Sequence, residues 1–221
     1  MAEQTGDTRQ RVLESAAEIF AEKGFNRATV QDICAAAQAN IASVNYHFGS
    51  KENLYNEVWR YTLELKLKAY PLDEGCTEKS TPEEKFGAYI RAQIRAIFDP
   101  GSPGFFSKLM LREMSDQSFA HQQIFEEGIR PMAARLEGIV AALLGGKASE
   151  KQITLCMSSV VPQYLSYNFR RQHPHKDHKC HRFFVGDNPT AAEQELLARH
   201  ITAFSLAGLK ASKTMSEEYD L

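Results

Sequence analysis

The chain has no apolar run near the roughly 20 residues that a membrane-spanning helix needs, so no candidate span exists. It has no strand-length alternation of apolar and polar residues and no Asn-Gly hairpin signal, which argues against a β-sheet scaffold. Only four of its 221 residues are cysteine (Cys34, Cys76, Cys156, Cys180), at no paired spacing. A disulfide framework is therefore not indicated, and a reduced, cytoplasmic setting is expected. The polar start shows no signal-peptide pattern. Basic charge is not in excess either: the formal net charge is -2. In the N-terminal stretch Glu3, Asp7, Glu14, Glu18, Glu22 and Asp32 outnumber the lysines and arginines. Any grip on nucleic acid must come from a local patch presented twice by a dimer, not from bulk attraction. No Gly-x-Ser-x-Gly elbow, phosphate-cradling glycine loop or His-Glu-x-x-His pair occurs, so neither enzyme activity nor a cofactor is expected.

What is present is helical period almost everywhere, which predicts an all-α protein. A first helix is expected from about Asp7 to Lys23, with Val12, Leu13, Ala16, Ala17 and Phe20 as its apolar stripe and Gly24 as its stop. Thr29 caps a short helix with Asp32 as its box partner, Asn40 caps another, and Ser50 caps a longer one that ends before Pro71. Residues 71–80 read as a polar link. Thr81-Pro82-Glu83-Glu84 then opens a helix whose buried face is Phe86, Ile90, Ile94 and Ile97. The Asp99–Gly104 segment reads as a breaker, followed by helices from about Phe105 to Met114 and Gln117 to Leu144, the latter interrupted at Pro131. Two long helices close the chain, one from Ser149 to about Arg171 with Pro162 inside it, the other from about Ala191 to Lys210.

Residues 29–54 carry the most specific signal: two short capped helices joined by a tight turn, then a third helix start. That is a helix-turn-helix pattern, which places its second helix in the DNA major groove. In the helix after Asn40, the spacing of Ile41, Val44 and Phe48 predicts a buried face. Ala42, Ser43, Tyr46 and His47 then point outward, with Asn45 at the edge. Small groups in the first turn allow close approach to base edges. A serine hydroxyl bonds to several bases, an alanine methyl touches a thymine methyl, and asparagine pairs with adenine. Tyr46 and His47 lie where phosphates would pass, and Thr29 and Lys51 sit at helix N-termini suited to a phosphate oxygen. Each residue singly is what any small helical bundle shows; the joint pattern is what points to double-stranded DNA.

The stretch resembles the signature of the TetR family of transcriptional repressors through Thr29, Ile33, Tyr46-His47-Phe48 and Ser50-Lys51-Glu52-Asn53-Leu54. The wording from Ala39 to Glu52 is most similar to its CecR-like branch, with Arg112-Glu113-Met114 and Ile129-Arg130-Pro131 fitting more loosely. Two residues depart from the family pattern: Gln38 stands where glycine is usual in the turn, and Cys34 stands where alanine is usual. The resemblance implies a helix-turn-helix domain over residues 1–52 and a larger helical effector-binding and dimerisation domain over 53–221. It also implies a homodimer packed through the last two long helices, and a repressor released from a palindromic operator by a small molecule. The apolar surplus agrees, with Leu196, Leu197, Ile201, Phe204 and Ala207 on the final helix and Leu155, Met157, Val160, Val161 and Tyr164 on the preceding one.

Groups expected to line an effector pocket are Phe98, Phe105, Phe106, Met110, Met114, Tyr164, Tyr167 and Phe169, with Arg112, Glu113 and His121 as polar candidates. The same stripe is also what plain helical core looks like. One further cluster, His173, His175, His178, Cys180 and His181, has the ligand types of a zinc, nickel or copper site, which makes a metal-responsive regulator the alternative. Lys176 and Lys179 interleave with it and favour an ordinary solvated loop.

Overall fold

The computed structural model describes residues 2–116, 121–172 and 188–215. The regular elements among them are all helical: α1 (Ala2–Arg27), α2 (Val30–Ala37), α3 (Ile41–Phe48), α4 (Lys51–Ala69), α5 (Pro82–Phe98), α6 (Ser102–Asp116), α7 (His121–Ile124), a π turn (Phe125–Ile129), α8 (Arg130–Leu143), α9 (Glu150–Gln172) and α10 (Ala191–Thr214). The expected all-α class is the class adopted.

Two compact units result. One combines Met1–Ala69 with Asp99–Arg130, the other Tyr70–Phe98 with Pro131–Leu221. In the first, α1 buries Val12, Leu13, Ala16 and Phe20 among Ile33 of α2, Val44 of α3, Leu54, Tyr55 and Val58 of α4, and Phe106 and Leu109 of α6. Aromatic edges interlock there: Phe20 meets Tyr55 with ring centroids 4.9 Å apart and Trp59 meets Phe106 at 5.4 Å, the T-shaped geometry that ring quadrupoles favour. Helices α4 and α6 supply much of the apolar surface of this core.

Gly24, at φ 73° and ψ 168°, leaves helical geometry in a backbone region that a side chain would strain, so the first helical run stops there as expected and a short second run reaches Arg27. The helix also begins at Ala2 rather than near Asp7, since extending an established helix fixes only one residue per added hydrogen bond. Another expectation is corrected at Asp99–Gly104. Helix α6 starts inside this segment at Ser102, with Pro103 in its first turn, where the missing N–H removes no intrahelical bond. The turn closes so tightly that a Cβ on Gly104 would lie 2.1 Å from the Asp99 carbonyl oxygen. The interruption expected at Pro131 takes the form of the π turn just before it, where the Arg130 N–H reaches the Phe125 carbonyl.

In the second unit α5 is the central helix. Its expected face, Phe86, Ile90, Ile94 and Ile97, is buried, and so are Ala88, Tyr89 and Ala92. Arg91 pairs with Glu195 of α10 at 3.1 Å, and the Tyr89 hydroxyl donates to the Met132 carbonyl at 3.3 Å. Helices α9 and α10 each bury one stripe (Val160 and Tyr164; Leu197, Ile201 and Leu209) and leave a second apolar stripe exposed (Leu155 and Phe169; Leu196 and Phe204).

Candidate nucleic-acid interface

Local chemistry sets α2 and α3. The Thr29 hydroxyl oxygen accepts the Asp32 N–H at 3.0 Å while the Asp32 carboxylate accepts the Thr29 N–H at 3.1 Å, a reciprocal capping box. Lys23 adds an ion pair to Asp32 at 3.0 Å. The Lys23 contact first, then the bonds from Thr29, hold the Asp32 carboxyl below its ordinary pKa.

Gln38 occupies the turn at φ 50° and ψ 45°. This left-handed residue is where the family pattern has glycine, and a side chain there costs about 1–2 kcal/mol. The Ala39 N–H still reaches the Cys34 carbonyl at 2.9 Å, and the Arg11 guanidinium donates to the Ala37 carbonyl at 3.2 Å, so the end of α2 is satisfied despite the strain. Cys34 is buried, as a small apolar replacement for alanine should be.

Helix α3 hangs on two buried anchors, Val44 and Phe48, with the Arg9 guanidinium 5.2 Å over the Phe48 ring and paired to Glu57 at 2.9 Å. Its outer surface carries Ala42 and Asn45 exposed, Tyr46 at 80% exposure, and Ser43 and His47 half-buried. The Tyr46 phenol stands away from the protein with the His47 ring edge against it at 5.1 Å.

Ile41 corrects the expected buried face, for it is 48% exposed. Its angular position matches Val44, but helical side chains lean toward the N-terminus, and beyond the first residue of α3 no turn exists to cover it. Ile41 therefore joins Ala42 in an apolar patch at the head of the helix. Pattern spacing alone missed it; its place at the helix start was the available signal.

Ser43 also behaves differently from a free reader. The Asn40 Oδ1 atom accepts both the Ser43 N–H at 2.7 Å and the Ser43 hydroxyl at 3.0 Å. The serine proton thus braces the cap, leaving Ser43 Oγ as an acceptor and the Asn40 amide N–H groups as donors. At the next helix start the Ser50 hydroxyl oxygen accepts the Asn53 N–H at 3.1 Å. Lys51 lies 4.3 Å over the Phe25 ring, and partial burial lowers the ammonium pKa from its ordinary value.

The expected effector residues distribute over both units. Phe106 is buried in the first unit and Met110 half-buried there. In the second unit, Phe98 meets Tyr167 at 6.2 Å and Tyr164 is buried; burial first, then the neighbouring Tyr89 phenol, raises its hydroxyl well above the ordinary tyrosine pKa. Arg112 and Glu113 of α6 do not pair with each other. Arg112 donates to the Ala21 carbonyl at 2.8 Å and to the Glu22 carbonyl, beside the Gly24 break. The buried Glu113 carboxylate accepts the Tyr55 hydroxyl at 3.0 Å. The side chains of Met114 and His121, and the whole cluster His173, His175, His178, Cys180 and His181, lie outside the described residues. Among the described residues no trio of His, Cys, Asp or Glu side chains is grouped to hold a metal ion.

Comparison with known proteins bears on both halves of the chain. Residues 12–58 match the family model of bacterial regulatory proteins, tetR family. Residues 82–209, more than half of the chain, match that of the HTH-type transcriptional dual regulator CecR, C-terminal domain. CecR of Shigella flexneri is 24% identical over 172 residues, spanning 74% of this chain and 77% of that protein. The transcriptional repressor KstR2 of Mycobacterium tuberculosis is 37% identical over 97 residues, 44% of this chain and 48% of the repressor. Among solved structures, the TetR family regulator PfmR from Thermus thermophilus superposes with a TM-score of 0.62 at 24% identity, covering 89% of this chain and 97% of PfmR. The KstR2 structure gives 0.61 at 19%, covering 90% and 93%, and these two likenesses speak to the fold.

Proposed function

The chain belongs to the TetR family of DNA-binding transcriptional regulators, and from that membership we propose that it is a homodimeric repressor, acting in the cytoplasm, that leaves a palindromic operator when a small molecule binds. Residues 1–52 are the DNA-contacting part and 53–221 the effector-binding and dimerising part. Each subunit offers α3 to a major groove. Ala42 and Ile41 meet thymine methyls, Asn40 and Asn45 meet base edges, Ser43 accepts from a base amine, and Thr29, Tyr46, His47 and Lys51 meet phosphates. The observation that carries this is the division of α3: Val44 and Phe48 hold it from behind, while Ile41, Ala42, Asn45 and Tyr46 are exposed and Ser43 and His47 half-buried.

Release by an effector is supported by how α6 is tied. Through Arg112 it holds two carbonyls of α1, and through Glu113 it holds Tyr55 of α4. A ligand that shifts α6 moves both supports of α3 together. Such a ligand must bind the released form more tightly than the DNA-bound form, and coupling of about 1–3 kcal/mol is typical.

A gel shift with the DNA flanking the protein's own gene tests the reading. Retardation is expected, with Tyr46→Phe and Lys51→Ala weakening binding to every sequence and Lys51→Ala alone flattening its salt dependence. Variants that bind like the wild type at all salt concentrations would remove these two residues from the interface.

A further inference from the structure

We propose that a cleft in the first unit, between α4 and the π turn, binds the hydroxyl group of a small organic alcohol, held between the indole N–H of Trp59 and the amide oxygen of Asn56. The proposal rests on the effector-controlled reading above and names the chemistry its effector presents.

The cleft is lined by Asn56, Trp59 and Leu63 of α4 and by Ile124, Glu127 and Gly128 of the facing segment. Trp59 is only 4% exposed, yet among the described residues its Nε1 has no hydrogen-bond partner, and neither has the buried Asn56 Oδ1. Native proteins seldom leave one buried polar atom unmatched, and a specific exception calls for a ligand, a water or an ion. Here two exceptions sit three residues apart, on one face of one helix, on the wall of one cleft.

The orientation of Asn56 follows from its neighbours. The Glu127 carboxylate, tied to Arg60 at 3.0 Å, can only accept, so Gln123 presents its Nε2 to it at 2.9 Å. Gln123 Oε1 is then left to accept the Asn56 Nδ2 N–H at 3.2 Å, which turns Asn56 Oδ1 the other way. One unmatched donor, Trp59 Nε1, and one unmatched acceptor, Asn56 Oδ1, thus sit on neighbouring residues of the cleft wall. A hydroxyl satisfies both through a single oxygen, accepting from Trp59 and donating to Asn56. A ketone or carboxylate accepts but cannot donate, and an ammonium donates but cannot accept.

Size agrees with a single polar atom at the deep end. About 310 Å³ of empty space lies in and above the cleft, and about 30 Å³ is open to the centre of a water-sized group; about 10–15 Å³ suffices for one water. Leu63, Ile124 and Gly128 offer apolar contact to the carbon skeleton. The π turn that forms this wall is a kind of irregularity frequent at functional sites.

Trp59 is the single tryptophan of the chain, so its emission reports on this cleft alone. The experiment titrates the full-length protein with cyclohexanol, cyclohexanone and cyclohexanecarboxylate, following Trp59 emission and calorimetric heat. Saturable cyclohexanol binding, at least tenfold tighter than either other probe, is expected. Asn56→Leu, checked for folding by its melting curve, should lose that preference. Equal binding of the three probes, or no saturable binding of cyclohexanol, would overturn the proposal and leave the niche to a water only. Either result is decisive on the wild-type protein, without any variant. A gel shift on the same preparation without alcohol separates the two levels: lost DNA binding with intact alcohol selectivity sinks the regulator reading and spares the cleft, while the converse sinks the cleft alone.

Discussion

Helices α3 and α10 both present an unpartnered face, and the contrast between them separates two ways of being incomplete. The front of α3 is Ala42, Asn45 and Tyr46 around a capped first turn, whereas the outer stripe of α10 is Leu196, His200 and Phe204, with Phe204 66% exposed. A wet surface of small and polar groups is stable as it stands and waits for a polar partner. A greasy stripe on a long helix suits association instead, since a large exposed apolar area is the kind of surface on which another surface docks. The caps differ to match. α3 has eight residues and depends on Asn40 and two anchors, while α10 has 24 residues, its own capping box at Thr190 and Glu193, and a buried stripe along its length.

The sharpest break of this contrast is a matched pair of truncations. Phe48→Ala should cost about 3–5 kcal/mol of stability by urea titration, since it empties one of the two supports of α3. Phe204→Ala should change monomer stability by less than about 0.5 kcal/mol, as exposed positions do. Equal costs would erase the distinction. Next comes Phe204→Glu, which should convert dimer to monomer in sedimentation and weaken operator binding at least tenfold while leaving the monomer folded. A persistent dimer would place the interface away from α10.

Inside the first unit a third substitution probes charge. Lys66 of α4 is fully buried beside the Phe106 ring, and burial pulls its pKa from 10.5 to about 7. A base lowered in this way makes the native state carry a buried charge below pH 7. Between about 7 and 10.5 the native form gives up that proton while the unfolded form still holds it, so the burden lessens as pH rises. Lys66→Met should therefore melt several degrees above the wild type at pH 7, and the gap should narrow at pH 10. A constant gap would mean that Lys66 does not titrate in this range. The smallest effects concern the turn and cap. Asn40→Ala should cost about 1 kcal/mol and blunt DNA binding. Gln38→Gly should stabilise by less than about 1 kcal/mol, strain relief being partly offset by the freer unfolded chain. If Gln38→Gly destabilised, the amide side chain would be making a contact worth more than its strain.

What could be read from the sequence was local. The capping boxes at Thr29, Thr81 and Thr190, the Asn40 and Ser50 caps and the buried face of α5 all depend on residues within a turn or two of one another. What escaped depends on segments far apart in the chain. The exposure of Ile41 is the exception, a local effect of standing first in α3 with no turn before it. The role of Arg112 is decided by carbonyls about 90 positions upstream. The Asn56 orientation is decided by Gln123 and Glu127 across a π turn that no periodic pattern announces. The strain at Gln38 was visible as a departure from the family pattern before its dihedral angles were known.

The Arg112 clasp has a consequence for how this protein can be taken apart. The guanidinium bonds to two carbonyls beside the Gly24 break, and it comes from a helix that starts after residue 101. A fragment trimmed after α4 would keep every residue proposed to meet the duplex and still lose the fastening at the back. The head of this molecule is thus no detachable cartridge, and transplanting it onto another body would require carrying α6 along.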